Sequence, residues 1–184
     1  MILYIHGFGS SGESYKARVL KERFKDEGFI SPSLSYVPKL ALKTLEEIIE
    51  SYQKYEDIYL MGSSLGGFYC LYLADKYNLP AVLINPAVNP WETLKEFGLK
   101  NNYYDNSKFE CTKEHLDSLR EYEIKDIKSE LYFLLSKKGD EVLDYKEAQN
   151  LLINSKAIIE DGGDHSFDDI EKYVDQIKAF YPKS

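Results

Sequence analysis

Apolar residues along this chain gather in short runs, separated by longer stretches in which they recur every three or four positions. The runs predict strands at 2–6, 30–36, 57–61, 81–85, 131–136 and 156–160. Nearly all of them are continuous rather than alternating, as strands covered on both faces require. The stretches between predict helices at 14–27, 40–55, 65–77, 144–153 and 168–181. Gly28 and Asn78 stand at helix-ending positions, and Asp168-Asp169 suits a helix start. Strands and helices in alternation imply βαβ units and a parallel sheet. The rhythm breaks once, over 87–128, a stretch rich in Asn, Tyr, Lys and Glu. A compact domain seldom carries so long a structureless loop. A short helical cap inserted over one edge of the sheet is expected there, within a single domain spanning 1–184.

Composition narrows the picture. A length of 184 residues fits one domain and leaves no room for a second. With 43% hydrophobic residues, among them 16 Tyr and 9 Phe, the core needs no disulfide or metal to hold it. Against 31 Asp and Glu stand 23 Lys and Arg, a net charge of −8 whose field repels phosphate backbones and anionic lipid. Nucleic acid and membrane surfaces are therefore poor partners. The apolar start ends at His6-Gly7, too soon for a secretory signal, and no run nears the ~20 residues of a membrane helix. A soluble, cytoplasmic protein is expected. Cys70 and Cys111 give neither a disulfide framework nor a metal-ligand spacing, and free thiols are expected. Nothing in the sequence calls for a metal or a cofactor, and nothing speaks to oligomeric state.

Chemistry enters at Gly62-Ser63-Ser64-Leu65-Gly66, a G-x-S-x-G motif directly after one predicted strand and directly before a predicted helix. Chance places the bare motif in about one chain in twenty of this length, so the strand–motif–helix order is what gives it meaning. A serine on such a turn stands exposed above the carboxyl edge of the sheet. The glycines are needed because a side chain two positions either side of the serine would strike adjacent backbone.

A nucleophilic serine needs a base, and the candidates are His6, His115 and His165. His6 ends the first strand, and His115 lies in the polar insertion, where an ordinary solvated side chain is expected. His165, in Gly162-Gly163-Asp164-His165-Ser166-Phe167, follows the last predicted strand and so reaches the same sheet edge as the serine. The imidazole in turn needs a carboxylate. Asp140 follows the strand at 131–136 and is preferred, with Glu141, Asp144, Asp161 and Asp164 as alternatives. The order Ser, Asp, His along the chain is a known one.

An oxyanion needs fixed N–H donors. Leu65, after the serine at a helix start, supplies one; the loop His6-Gly7-Phe8-Gly9-Ser10-Ser11-Gly12 supplies a second, from Phe8. The same loop read as a phosphate loop lacks the Lys-Ser/Thr ending, and as a dinucleotide fingerprint it lacks the spacing. In the insertion, Trp91, Tyr103 and Tyr104 are the expected substrate-binding residues, with Phe97 and Phe109 as further pocket walls.

Taken together, His6-Gly7-Phe8-Gly9-Ser10-Ser11, Gly62 to Tyr69, Asn85-Pro86-Ala87, Gly139 to Tyr145 and Gly162 to Phe167 make the chain resemble the α/β-hydrolase superfamily over nearly its whole length. The closest resemblance is to the small bacterial YqiA/YcfP-like esterases. That resemblance implies Ser64 as nucleophile, His165 as base and Asp140 as its partner, with a small-molecule ester or thioester as substrate. It also implies departures: the oxyanion loop arrives at residue 6, so the fold is expected to be trimmed at the N-terminus to about six parallel strands flanked by helices. The expected activity is a serine esterase. The alternatives are an acyl thioesterase using the same residues, or a hydrolase-fold protein that binds a small ligand without catalysis.

Overall fold

The computed structural model describes residues 1–94 and 98–182. Strand β1 (Ile2–Ile5) leads to helix α1 (Tyr15–Arg23), the two-residue strand β2 (Phe29–Ile30), helix α2 (Pro38–Tyr52), strand β3 (Tyr59–Ser64), helix α3 (Leu65–Tyr77) and strand β4 (Ala81–Pro86). After β4 come a short helix α4 (Pro90–Thr93), strands β5 (Gly98–Asn101) and β6 (Lys108–Cys111), and helix α5 (Lys113–Leu119). The chain then returns to the sheet with β7 (Tyr132–Lys137), α6 (Tyr145–Leu151), β8 (Lys156–Glu160) and α7 (Val174–Phe180).

Six strands form one sheet in the order β2-β1-β3-β4-β7-β8, and every neighbouring pair is parallel, as expected. Side-chain alternation along the strands feeds two separate cores. Leu3, Ile5, Leu60, Leu83 and Leu134 pack in one cluster with Leu42 and Leu45 of α2, Phe68 of α3 and Ala148 of α6. Ile2, Tyr4, Met61, Val82 and Phe133 pack in the other with Ala17 and Leu20 of α1 and Ile177 of α7. Because both faces are covered, β1, β4 and β7 are buried at every position, which is why they read as unbroken apolar runs. From β1 the chain winds outward to β2, and from β3 it winds the other way. The direction reverses between β1 and β3, and a crevice opens beyond their carboxyl ends.

Three expectations are corrected. The strand expected over 30–36 is only Phe29–Ile30. Beyond it Pro32 has no N–H for the ladder, and the N–H of Leu34 donates instead to His6 Nε2 at 3.0 Å. The insertion over 87–128 is not wholly helical: between α4 and α5, strands β5 and β6 pair antiparallel, Gly98 opposite Cys111 and Asn101 opposite Lys108. Phe109 and Cys111 are buried while Lys108 and Glu110 are exposed, a period of two hidden in a polar neighbourhood. Side chains of Asn102 and Asp105 fold the connecting turn by accepting the N–H groups of Tyr104 and Ser107 at 2.8 and 2.9 Å. Finally, the helix expected over 168–181 opens as a 3₁₀ turn, Ile170–Tyr173, and is α-helical only over Val174–Phe180. Cys70 and Cys111 are free and buried. Among the described residues no helix is long and apolar enough to cross a membrane.

Candidate active site

At Ser64 strand β3 turns directly into α3, and the residue takes φ 56° and ψ −122°. Few non-glycine residues tolerate that conformation. Crowding around the turn explains the flanking glycines. A Cβ on Gly66 would lie 2.0 Å from the carbonyl oxygen of Ile5, and one on Gly62 would lie 2.3 Å from that of Gly66. The helix can therefore start hard against β1, with the Ser64 hydroxyl at the carboxyl edge of the sheet.

The loop after β8 brings His165 to this edge, its Nε2 3.1 Å from Ser64 Oγ. The loop after β7 brings Asp140, whose Oδ2 lies 2.8 Å from His165 Nδ1. The Asp140 side chain is 2% exposed and that of His165 is 23% exposed, so the carboxylate is sheltered while the imidazole meets solvent. Asp140 Oδ1 accepts two further bonds, from the N–H groups of Val142 at 2.8 Å and Leu143 at 2.9 Å. Burial pushes the Asp140 carboxyl up, but the bonds from His165, Leu143 and Val142 outweigh it and hold the group below the ordinary carboxylate range. An ionised Oδ2 requires the hydrogen on Nδ1, which turns the lone pair of Nε2 toward the serine hydroxyl.

The other candidates have different occupations. Asp144 caps α6 by accepting the N–H of Lys146, Asp161 pairs with Lys138 at 2.8 Å, and Asp164 accepts the N–H of Phe167. Glu141 accepts the N–H of His165 at 3.1 Å through Oε2, touching its backbone rather than its ring. His6 accepts from Leu34 through Nε2 and approaches the carbonyl of Gly7 at 2.8 Å through Nδ1, bracing the loop after β1. His115, expected to be merely solvated, forms a capping box on α5. Its ring accepts the N–H of Thr112 at 3.3 Å, and Thr112 Oγ1 accepts the N–H of His115 at 3.2 Å.

A cleft of about 560 Å³ opens over Ser64 and His165, lined also by Phe8, Tyr15, Lys16 and Tyr103. The loop after β1 runs tightly past the serine: a Cβ on Gly7 would lie 3.1 Å from Ser64 Cβ. Phe8 and Leu65 both border a smaller pocket, about 40 Å³, that the same loop also lines. Leu65 is the first residue of α3, where the N–H groups have no partner within the helix and the helix dipole is positive.

Of the aromatic residues expected to bind substrate, the structure brings Tyr103 to the cleft. Its N–H donates to the carbonyl of Gly9 at 2.7 Å, and Asn102 Nδ2 donates to that of Ser10 at 3.1 Å, so the β5–β6 turn braces the loop beside the serine. Tyr104 and Trp91 do not line the cleft. Tyr104 is exposed. Trp91 meets Phe68 edge-on at 5.9 Å, with the Arg120 guanidinium over its face at 4.8 Å. Phe109 packs against Phe8 at 5.4 Å, and Phe97 lies outside the described residues.

Sequence reasoning assigns no role to several residues at the site. Asn85, at the end of β4, donates to the carbonyls of Asp164 and His165. Lys16 donates from Nζ to the carbonyl of Ser166, and burial pushes its ammonium pKa down. Lys137, its side chain 4% exposed, holds Glu160, Asp169 and the Tyr173 hydroxyl at 2.7, 2.8 and 2.6 Å. A polar residue closing an otherwise apolar strand is the sequence signal that Asn85 and Lys137 share.

Together these groups can activate a serine hydroxyl: a base within reach, an ionised partner for that base, and a helix N-terminus where negative charge would develop. Comparison with known proteins places the chain among folds of this kind. A putative hydrolase from Agrobacterium vitis S4 superposes with a TM-score of 0.75 at 16% identity, covering 98% of this chain and 87% of that one. The mouse alpha/beta hydrolase domain-containing protein 10 gives 0.73 at 19%, covering 97% and 88%. Est1E from Butyrivibrio proteoclasticus, with ferulic acid bound, gives 0.71 at 18%, covering 97% and 86%. At such identities the likeness is one of fold, that of the α/β hydrolases. In sequence, a UPF0227 protein of Serratia proteamaculans is 26% identical over 185 residues, covering 98% of each chain, and one of Yersinia pseudotuberculosis is 27% identical with the same coverage. Residues 1–182 match the profile of an uncharacterised protein family, and the chain belongs to that family, UPF0227.

Proposed function

We propose that the protein is a serine hydrolase that cleaves carboxylic esters of small or short-acyl substrates through an acyl-enzyme intermediate. The observation that carries this proposal is the continuous hydrogen-bonded series from Ser64 Oγ to His165 Nε2, and from His165 Nδ1 to Asp140 Oδ2, at 3.1 and 2.8 Å. Several neighbours in fold are described as hydrolases or as an esterase domain, which agrees with it.

Ser64 Oγ attacks the ester carbonyl carbon while His165 Nε2 takes the hydroxyl proton. Asp140, ionised, stabilises the imidazolium that forms. The N–H groups of Phe8 and Leu65 hold the oxyanion. The tetrahedral intermediate collapses as His165 returns the proton to the leaving alkoxide, giving the free alcohol and an ester on Ser64. Water then attacks that ester with His165 again as base, and the acid is released. Tyr103 borders the substrate at the mouth of the cleft.

A fluorophosphonate probe and p-nitrophenyl butyrate test the proposal. The wild-type protein is expected to be labelled and to hydrolyse the ester, and Ser64→Ala to lose both, with kcat falling at least about 10³-fold. Labelling or hydrolysis that survives Ser64→Ala overturns the assignment of the nucleophile.

A further inference from the structure

The loop that carries His165 is bonded by a buried residue that belongs to neither that loop nor the motif. In the pairing of β3 with β4, Ser63 lies opposite Ile84 and Ser64 opposite Pro86, so Asn85 is an extra residue in a bulge beside the nucleophile. Bulges next to reactive groups re-aim a side chain. Asn85 is only 3% exposed and has φ 39°, an unfavourable value for a side chain other than glycine.

Its carboxamide uses both ends. Oδ1 accepts the N–H of Lys137 at the end of β7, at 2.9 Å. Nδ2 donates to the carbonyls of Asp164 at 3.0 Å and His165 at 3.4 Å. One buried side chain thus ties the strand that precedes Asp140 to the loop that carries the imidazole. The same loop is fastened from two other directions, the N–H of His165 by Glu141 and the carbonyl of Ser166 by Lys16. Those two bonds come from side chains nearer solvent, whereas the Asn85 side chain is itself buried. A buried carboxamide satisfied at both ends and bent into a bulge is costly to build, and its two donor bonds land on the backbone of His165, which must stay within hydrogen-bond reach of Ser64, and of Asp164 just before it.

We infer that Asn85 is a positioning residue for the proposed hydrolysis, setting the place of His165 relative to Ser64 through the backbone of residues 164 and 165. The inference rests on the serine-hydrolase proposal. Asn85 does not line the cleft, so it acts on the rate of the chemical step and not on substrate binding.

The test compares wild type, Asn85→Ala, Asn85→Asp and Ser64→Ala in p-nitrophenyl butyrate hydrolysis, fluorophosphonate labelling rate and thermal unfolding. Asn85→Ala removes both donor bonds and the acceptor of the Lys137 N–H. Asn85→Asp keeps an acceptor for the Lys137 N–H but turns an oxygen toward two carbonyls. Misplacement of a base by about 1 Å costs on the order of 10²-fold. Each Asn85 variant that folds is expected to lose roughly 30- to 100-fold in kcat and in labelling rate, with KM changed less than about twofold. A folded variant with kcat within threefold of wild type, or a loss expressed in KM, overturns the inference. So does a failure of both variants to fold, which assigns Asn85 to the fold alone. If the wild-type protein neither hydrolyses the ester nor labels, or labels equally after Ser64→Ala, the serine-hydrolase proposal fails; active wild type with active Asn85 variants sinks only the positioning role.

Discussion

Replacing Asp140 with asparagine changes one atom and should disable the site through proton placement rather than through loss of shape. The oxygen at the Oδ1 position accepts the N–H groups of Val142 and Leu143 at 2.8 and 2.9 Å. An asparagine must keep its carbonyl there, because turning the amide over would aim an NH₂ group at two N–H donors. Its NH₂ is then left facing His165 Nδ1, at the 2.8 Å now spanned by the carboxylate. The ring must accept at Nδ1, its hydrogen moves to Nε2, and that hydrogen faces Ser64 Oγ where a lone pair is needed. A triad locked in the wrong tautomer loses about 10⁴-fold in kcat, which is ~5.5 kcal/mol at about 1.36 kcal/mol per decade. Asp140→Ala leaves the ring free to choose its tautomer and should be no more damaging than Asp140→Asn. The assay is p-nitrophenyl butyrate hydrolysis with thermal unfolding as control. Stability also carries a signature. The folded carboxyl is held below its ordinary range, so its contribution is present above the unfolded pKa, about 3.9, and disappears as pH falls through the lower folded value. The unfolding midpoints of wild type and Asp140→Asn should therefore converge below about pH 4. Activity of Asp140→Asn within tenfold of wild type would refute the tautomer account.

Two further substitutions probe the frame around the site. Lys137→Met removes the cation between Glu160 and Asp169, whose side chains are 46% and 30% exposed and can in part rehydrate; a loss of about 2–3 kcal/mol is expected, below the range for a fully buried pair, and an unchanged urea midpoint would show that the network contributes nothing. Gly66→Ala places a methyl 2.0 Å from the Ile5 carbonyl oxygen, so β1 and α3 must move apart, at a cost of at least about 3 kcal/mol; wild-type stability with normal labelling of Ser64 would refute the crowding.

Much of the fold could be read from the chain because the central strands are buried on both faces and leave unbroken apolar runs. Helix α3 falls on the residues expected of it, since the Gly62–Gly66 motif and Asn78 mark its ends in one dimension. The β5–β6 hairpin could not be read so easily. Its apolar positions, Phe109 and Cys111, alternate over only four residues among lysines, glutamates and asparagines, and Phe109 packs against Phe8 and Tyr36 far away in sequence. Ser64, His165 and Asp140 were legible as candidates because Ser64 ends a strand and the other two follow strands, and parallel strands deliver their carboxyl ends to one edge. Asn85 stood in a recognisable block but without a role, because its partners lie 52 to 80 residues away and only the bulge turns it toward them. Trp91 and Tyr104 show the reverse: aromatic character suggests a pocket wall, and neither lines the cleft over Ser64.

The brace between the hairpin turn and the loop beside Ser64 has a consequence for anyone reshaping the molecule. Tyr103 and Asn102 grip the carbonyls of Gly9 and Ser10, while His6 grips Leu34 from the opposite flank. The hairpin is thus scaffolding as well as wall. Grafting a different turn there to widen the cleft would loosen the loop that runs beside Ser64, so redesign of selectivity should leave these two carbonyl contacts intact and confine changes to the Tyr103 ring.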